Sequence, residues 1–403
     1  MAGKIKINRE HLKRYLIDQF IYRFKPHQKV TTVEYDHIAP LECVQMDTLR
    51  IIERNQDLVL HNRFDNYRPA MLTDIAYNQK KLIESFYNAM CFVPTSEYRY
   101  HRRRHREIGK EFGHNWQKFK PEISLVKRII RKQGPLPASY FKSSKKQAWG
   151  YGSGLKNTTI ALDFLWYSGQ LMTAFRESGQ RYYDFPENVL LPEIDRSLPS
   201  LKQYRQFMLN KHLRTYLLGD LSYHRFGNMR MKAVDRRKLI EPQVKNGEIV
   251  HLDIEDMKRA YVIRKIDLDR IQPISSYKPD KRVRFMAPLD NLLFNRDMIS
   301  DIFCFDYRWE VYAPRKKRKF GYYVMPILYG FDFIGRIDPK ADRKANKLIF
   351  HLIQIEDHVK LTDRLITEIS RAIKRMAGFS NMKSAEVTKT QPAKLKKLLQ
   401  KKL

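Results

Sequence analysis

Apolar residues recur at helical spacing in some stretches of the chain and alternate with polar ones in others. Leu12, Leu16 and Phe20 fall on one face of a helix predicted over residues 8–20, with Asn8 placed to cap its first turn. Ile52, Leu58 and Val59 predict a second helix over residues 49–60, and residues 80–87 a third. A polar segment separates the first helix from Leu41-Glu42-Cys43-Val44-Gln45-Met46-Asp47-Thr48-Leu49, where the rhythm changes. In an extended segment successive side chains alternate faces, so Val44 and Met46 point to a core while Gln45 and Asp47 share the other side. A carboxylate there can act as a general base or stabilise a developing cation, and an amide can hold a water. On spacing alone, a solvated strand edge accounts for the pair better than chemistry does.

Residues 123–185 carry the clearest supersecondary order. Leu125, Ile129 and Ile130 mark a helix stopped at Gly134-Pro135, and a short segment over 136–141 follows. A helix over 157–168 closes at Gly169, and strands over 171–175 and 180–185 flank the turn at 176–179. Helix, short helix, recognition-type helix and hairpin is the order of a winged helix-turn-helix, here with Lys142, Lys145, Lys146 and Lys156 around the third element. The order recurs in helical stretches near 200–218 and 232–244, followed by a hairpin at 248–254 and 259–263. From residue 283 short strands take over, at 306–312, 320–328, 331–337 and 347–356, punctuated by Gly330 and Asp338-Pro339. Such a run predicts a small antiparallel barrel, followed by a helix over 361–376 and a mobile Lys-rich tail. The expected fold class is therefore α+β, with tandem winged helix-turn-helix domains and a small antiparallel β-barrel near the C-terminus. Its divisions fall at 1–120, 121–195, 196–280, 281–378 and a basic tail over 379–403.

Charge narrows the partners. Among 403 residues, 77 Lys and Arg face 44 Asp and Glu, a net charge of +33 that points to a polyanion, nucleic acid before an anionic membrane surface. No apolar run is long enough to span a bilayer and the start lacks the apolar core of a signal peptide, so a cytoplasmic, nucleoid-associated protein is expected. Cys43, Cys91 and Cys304 form neither a disulfide framework nor a Cys-x-x-Cys pair. His101 and His105 lie within the run Tyr100-His101-Arg102-Arg103-Arg104-His105-Arg106, where a metal cation would be repelled, so nucleic-acid contact or solvation is expected of them. Phosphate contact is expected from Arg102, Arg103, Arg104 and Arg106, from Lys142 and Lys156, and from the tip Arg315-Lys316-Lys317-Arg318-Lys319.

Four stretches near the C-terminus, Pro288-Leu289-Asp290-Asn291-Leu292-Leu293, Phe305-Asp306-Tyr307-Arg308-Trp309-Glu310-Val311-Tyr312, Gly321-Tyr322-Tyr323-Val324-Met325-Pro326 and Gly335-Arg336-Ile337-Asp338-Pro339-Lys340-Ala341-Asp342-Arg343, closely resemble the winged-helix DNA glycosylases of the AlkZ/YcaQ family. So do Ala161-Leu162-Asp163-Phe164-Leu165-Trp166 and Gly169-Gln170-Leu171-Met172 in the middle, and Val44-Gln45-Met46-Asp47-Thr48 and Ile52-Glu53-Arg54 near the start. The resemblance reaches to about residue 378, and Gln45-Met46-Asp47 matches the Gln-x-Asp motif of the YcaQ branch. It implies tandem winged helices on a barrel scaffold and metal-independent hydrolysis of the N-glycosidic bond of alkylated purines, chiefly N7-alkylguanine. Asp47 would stabilise the sugar cation and deprotonate a water that Gln45 positions, with no cofactor. The partner implied is double-stranded DNA bearing alkylated guanine, met by a monomer. One departure stands out: where the family reads Glu-Tyr-Trp-Ala-His, this chain has Glu84-Ser85-Phe86-Tyr87-Asn88, with asparagine in place of the histidine. The rival class is a multi-winged-helix DNA-binding regulator without chemistry, for which a carboxylate facing phosphates has no use.

Overall fold

Helix Arg9–Phe20 forms where the apolar spacing places it, and the Asn8 side chain accepts from the Glu10 and His11 amides at its start. In the computed structural model the described residues are 4–24, 32–111, 113–142, 145–149, 152–221, 225–226, 229–230, 232–271, 274 and 278–403. The polar segment expected before Leu41 therefore lies partly outside them. The chain folds as two compact units, Met1–Pro69 with Leu209–Leu403, and Ala70–Met208.

In the first unit, Leu12, Tyr15, Leu16 and Ile17 join Leu292, Ile299, Phe305 and Val324 in one apolar core. Two sheets surround it. One orders strands Ile5–Ile7, Ile249–Ile254, Tyr261–Arg264 and Leu218–Asp220, which contains the hairpin expected at 248–263. The other orders Val283–Phe285, Met325–Tyr329, Asp332–Asp342, Lys347–Ile355 and Ser384–Val387, with Thr390–Gln391 also paired to Lys347–Ile355. Its first four strands are antiparallel and bulge at Ile327/Leu328 and Asp338/Pro339, which curls the sheet. The last two pair in parallel, so the expected antiparallel barrel is instead an open, curled sheet.

Three further departures have physical causes. The strand expected at 306–312 is replaced by 3-10 turns at Glu310–Tyr312 and Arg315–Lys317. The buried Glu310 carboxylate accepts from the Lys319, Phe320 and Gly321 amides, which takes donors away from a ladder. The tail expected to be mobile is docked: Leu395 and Leu399 of helix Lys394–Gln400 are fully buried against the unit. Helix Asn55–His61 starts later than residue 49, because residues 46–54 are drawn into turns described below.

The second unit holds the hairpin Leu82–Phe86 and Met90–Pro94 where a helix over 80–87 was expected. Lys80 has a positive φ of 55°, which ends the preceding helical segment, and Glu84 is buried by strand pairing. Beyond it, helices Lys120–Gln133 and Asn157–Tyr167 pack through Val126, Ile130, Leu162, Leu165 and Trp166, against a sheet ordered Leu136–Pro137, Gln180–Asp184, Met172–Glu177. The helix expected to read DNA, Asn157–Tyr167, is therefore a core element, with seven of its residues buried. No helix among the described residues is long and apolar enough to cross a membrane.

Candidate active site

Val44–Gln45 is a two-residue strand with Val44 buried and Gln45 and Asp47 partly exposed, but the expected alternation does not extend along the segment, since Cys43 is buried as well. Met46 is only half-buried. Short strands hold themselves poorly, so side chains from elsewhere must fix this one. Asn291 donates from its amide to the carbonyls of Leu41 (2.9 Å) and Cys43 (3.0 Å). Asn55 donates to the Gln45 carbonyl at 2.8 Å while its own oxygen accepts from the Leu289 amide at 3.0 Å. Gln56 accepts from the Asp47 amide at 3.3 Å. Two asparagines and a glutamine thereby clamp residues 41–47 from both sides. Each satisfies backbone groups that a longer strand would have paired.

The supports are themselves braced. Asp290 forms a bidentate ion pair with Arg63 at 2.7 and 2.9 Å, both side chains fully buried. Glu42, in a left-handed conformation (φ 62°), receives the Arg214 guanidinium at 2.7 and 3.1 Å, and its carbonyl receives the Lys211 ammonium at 2.7 Å. The turn after Asp47 is pinned by the long strand: the Ala341 amide donates to the Ile51 carbonyl at 2.9 Å, and Arg343 reaches the Ile52 carbonyl. Stretches separated by up to 293 residues thus meet on one short segment, since Arg343 also donates to the Arg50 carbonyl.

The Asp47 carboxylate accepts from the Leu49 amide at 2.7 Å. Burial pushes its pKa above the ordinary range, while the Leu49 bond and the nearby Arg54 charge pull the other way. A proton acceptor of raised basicity, half-exposed and with spare lone pairs, is suited to take a proton from a water. Asp57, on the helix that follows, is more deeply buried, and its carboxyl is pushed up to about 6 although the Tyr67 hydroxyl donates to it at 2.6 Å. Among the described residues, no three His, Cys, Asp or Glu side chains lie together as metal donors.

The basic residues singled out from sequence fall into distinct settings. Arg102 and Arg103 donate to the Arg196 and Pro199 carbonyls, and Arg103 and Arg104 pair with Glu107 at 3.4 and 3.8 Å. Arg106 is exposed. His101 and His105 are neither solvated nor at the surface: both are buried, with Ser85 Oγ 2.9 Å from His101 Nδ1 and 3.5 Å from His105 Nε2. Burial lowers the His105 pKa to about 3, so it stays neutral. Lys142 and Lys156 come together with Lys145 along one open groove beside Glu122. In the loop, Arg315, Lys316, Lys317 and Lys319 are exposed, whereas Arg318 donates to the Ala313 carbonyl at 2.9 Å and lies over the Tyr322 ring. Glu84, of the Glu-Ser-Phe-Tyr-Asn stretch, is sealed in by Arg176, Arg181, Tyr77 and Thr173. Asn88 accepts from the Cys91 thiol at 3.4 Å within its hairpin.

Sequence reasoning gave no role to Asn55, Gln56 or Asn291. Asn291 stood inside a singled-out stretch, but nothing in its spacing says that its amide reaches residue 41.

A family model described as DNA glycosylase AlkZ-like matches residues 38–379. Among solved structures, the Streptomyces sahachiroi DNA glycosylase AlkZ superposes with a TM-score of 0.59 at 11% identity, covering 95% of this chain and 99% of that one. At that identity the superposition speaks for the fold.

Proposed function

This chain belongs to the AlkZ-like DNA glycosylase family, and from that premise we propose that it hydrolyses the N-glycosidic bond of N7-alkylated guanine in duplex DNA. The observation that carries this reading is the Asp47 carboxylate: half-exposed, raised in pKa, and two residues from Gln45 on a segment clamped from both flanks. Alkylation at N7 puts a positive charge on the base, which already makes it a good leaving group, so general-acid help is dispensable. What the reaction needs is negative charge near the sugar as oxocarbenium character develops, and an oriented water. Asp47 supplies the charge and accepts the proton; Gln45 orients the water. Water attacks C1′, the C1′–N9 bond breaks with its electron pair passing to the base, and the base leaves neutral. No step in this scheme calls on a metal ion, and excision is expected to survive EDTA.

In residues 120–184 a strand and a hairpin, Lys146–Trp149 with Gly152–Lys156, lie between the two helices, and a second hairpin follows them; the exposed Lys142 and the groove it shares with Lys156 support phosphate contact there. Bulky adducts and interstrand crosslinks through N7 are within this reading, since Asp47 is partly exposed rather than sealed away. The test is incubation with a duplex carrying a single N7-alkylguanine, followed by alkaline cleavage at abasic sites and electrophoresis. The parent protein is expected to give a strand break at the lesion and Asp47→Asn to give it about a hundredfold more slowly. An unbroken lesion strand with the parent protein, or equal cleavage by the variant, removes the assignment.

A further inference from the structure

Strand Val283–Phe285 stands at the end of its sheet, and side chains cover its outer edge. Asn62 donates to the Phe285 carbonyl at 2.9 Å and Arg375 to the Val283 carbonyl at 2.8 Å. They come from the end of helix Asn55–His61 and from helix Asp363–Phe379, which meet where His61 stacks on Phe379, 4.0 Å between ring centroids. A recess of about 30 Å³ lies there, lined by His61, Asn62, Asp65, Arg282, Arg284 and Arg375 among others. A single water needs only about 10–15 Å³ of such space.

Charge in the recess does not balance. Arg282 holds both oxygens of Asp65, at 2.8 and 3.0 Å, and Arg284 holds Asp280 at 2.7 Å. The third guanidinium, Arg375, has no carboxylate partner among the described residues, and nearby Glu368 is taken by Arg371 at 2.6 Å. Burial and the Arg282 and Arg284 charges pull the Arg375 pKa down to about 10, against Glu368 and Asp65, so it stays cationic at neutral pH. Two donors are also left over. Arg284 is buried and its Nη1 has no hydrogen-bond partner among the described residues, nor has the buried Nδ1 of His61. Burial, Arg375 and Arg282 lower the His61 pKa to about 4, so the ring is neutral and Nδ1 can carry a hydrogen. Buried polar atoms are almost always paired, and a surplus cation beside two orphans is matched by an anion with several oxygens.

We propose that this recess binds one phosphate group, with Arg375, Arg284 and His61 donating to its oxygens. A backbone phosphate of DNA and free inorganic phosphate share that chemistry. Neither Asp47 nor Gln45 takes part, so the site stands apart from the glycosylase reading.

The probe is inorganic phosphate, added at constant ionic strength against chloride while the melting temperature is followed. In the parent a rise of about 3 °C over chloride is expected once phosphate is in tenfold excess over its dissociation constant. Arg375→Gln is expected to lose that rise, whereas Asp47→Asn and the combined alanine variant of Arg315, Lys316 and Lys317 keep it. A response no larger than that to chloride, or equal in Arg375→Gln and the parent, overturns the site. Amide exchange on the parent alone decides the matter if Arg375→Gln fails to fold: phosphate is expected to protect residues 283–285 and 372–379, and unchanged exchange there overturns the site too. Duplex affinity then assigns the source. If Arg375→Gln weakens binding to damaged and undamaged duplexes alike and lowers the salt slope by ~0.9, the occupant is a DNA phosphate. If affinity and slope stay parental while the phosphate response is lost, the occupant is a free phosphate.

Discussion

Asp47 and Glu84 are two carboxylates in stretches that the family resemblance picks out, and their surroundings differ in every respect that matters for chemistry. Asp47 is partly exposed, accepts from the Leu49 amide, and is pushed above its ordinary pKa. Glu84 has no side-chain exposure and is saturated by two arginines, a phenol and a threonine. Burial works against its charge, yet those partners hold its pKa below the ordinary value. A carboxylate whose lone pairs are all engaged holds an architecture together. One with spare lone pairs and raised basicity can take a proton.

The largest expected effect belongs to the structural member of the pair. Glu84→Ala leaves Arg176 and Arg181 without their buried counter-charge, and breaking a buried ion pair in this way costs about 3–5 kcal/mol. Denaturant titration is expected to show that loss, while excision per folded molecule stays within a few-fold. A variant as stable as the parent would mean that Glu84 and Asp47 are not divided as described.

Asp47→Asn is the converse. Excision is expected to fall by about 10², equivalent to ~2.7 kcal/mol of barrier, with stability preserved or improved because a charge is removed from a half-buried place. Gln45→Ala is expected to lose less. In the parent, the excision rate falls as pH drops through the elevated Asp47 pKa, because protonation removes the base. An acid limb at or below the ordinary aspartate value would contradict the raised basicity.

Asp57 lies between the two extremes: deeply buried like Glu84, but with a neutral phenol as partner. Its folded pKa of about 6 is above the ordinary aspartate value, so its stabilising contribution is complete below pH ~3.9 and is lost as pH rises through 6. Asp57→Asn keeps an oxygen for Tyr67 and discards the charge. Its gain is expected to be ~3 kcal/mol at pH 8 and absent near pH 3, at about 1.36 kcal/mol per pKa unit. Melting curves across that range decide it, and a gain independent of pH would remove the burial argument.

How far the sequence could be read follows from the range of each interaction. Helix Arg9–Phe20 was legible to its cap, because apolar spacing and Asn8 act within a few residues. The alternation expected around Gln45 and Asp47 was not: Cys43 is buried beside Val44, and Met46 is as partly exposed as Gln45 and Asp47. What the sequence withheld was long-range. Nothing local says that Asn291 clamps residue 41, or that His101 and His105 are buried on Ser85 rather than solvated among arginines. Residues 80–87 read as a helix because Leu82, Ile83 and Phe86 fit that period. Pairing to Met90–Pro94 and the burial of Glu84 overrode it. The last segment read as mobile from its lysines, whereas Leu395 and Leu399, four apart, dock it.

The smallest expected effect separates exposed charge from engaged charge. Arg315, Lys316 and Lys317 are exposed on a loop whose backbone is fixed by Glu310, while Arg318 is tied to the Ala313 carbonyl and the Tyr322 ring. Phosphate contacts carry no sequence information and each releases about 0.9 counterion, so replacing Arg315, Lys316 and Lys317 by alanine acts on every duplex alike. Affinity for lesion-bearing and undamaged duplexes is expected to weaken by the same factor at low salt. The slope of log affinity against log salt is expected to shrink by ~0.9 for each phosphate no longer neutralised. Excision from the bound complex stays as in the parent, because none of the three lies in the clamped segment. Arg318→Ala is expected to behave differently, lowering stability slightly with little change in slope. If the triple variant keeps the parental slope, the loop is a solvated tip and the phosphates are met elsewhere, with the groove of Lys142, Lys145 and Lys156 the next place to remove charge.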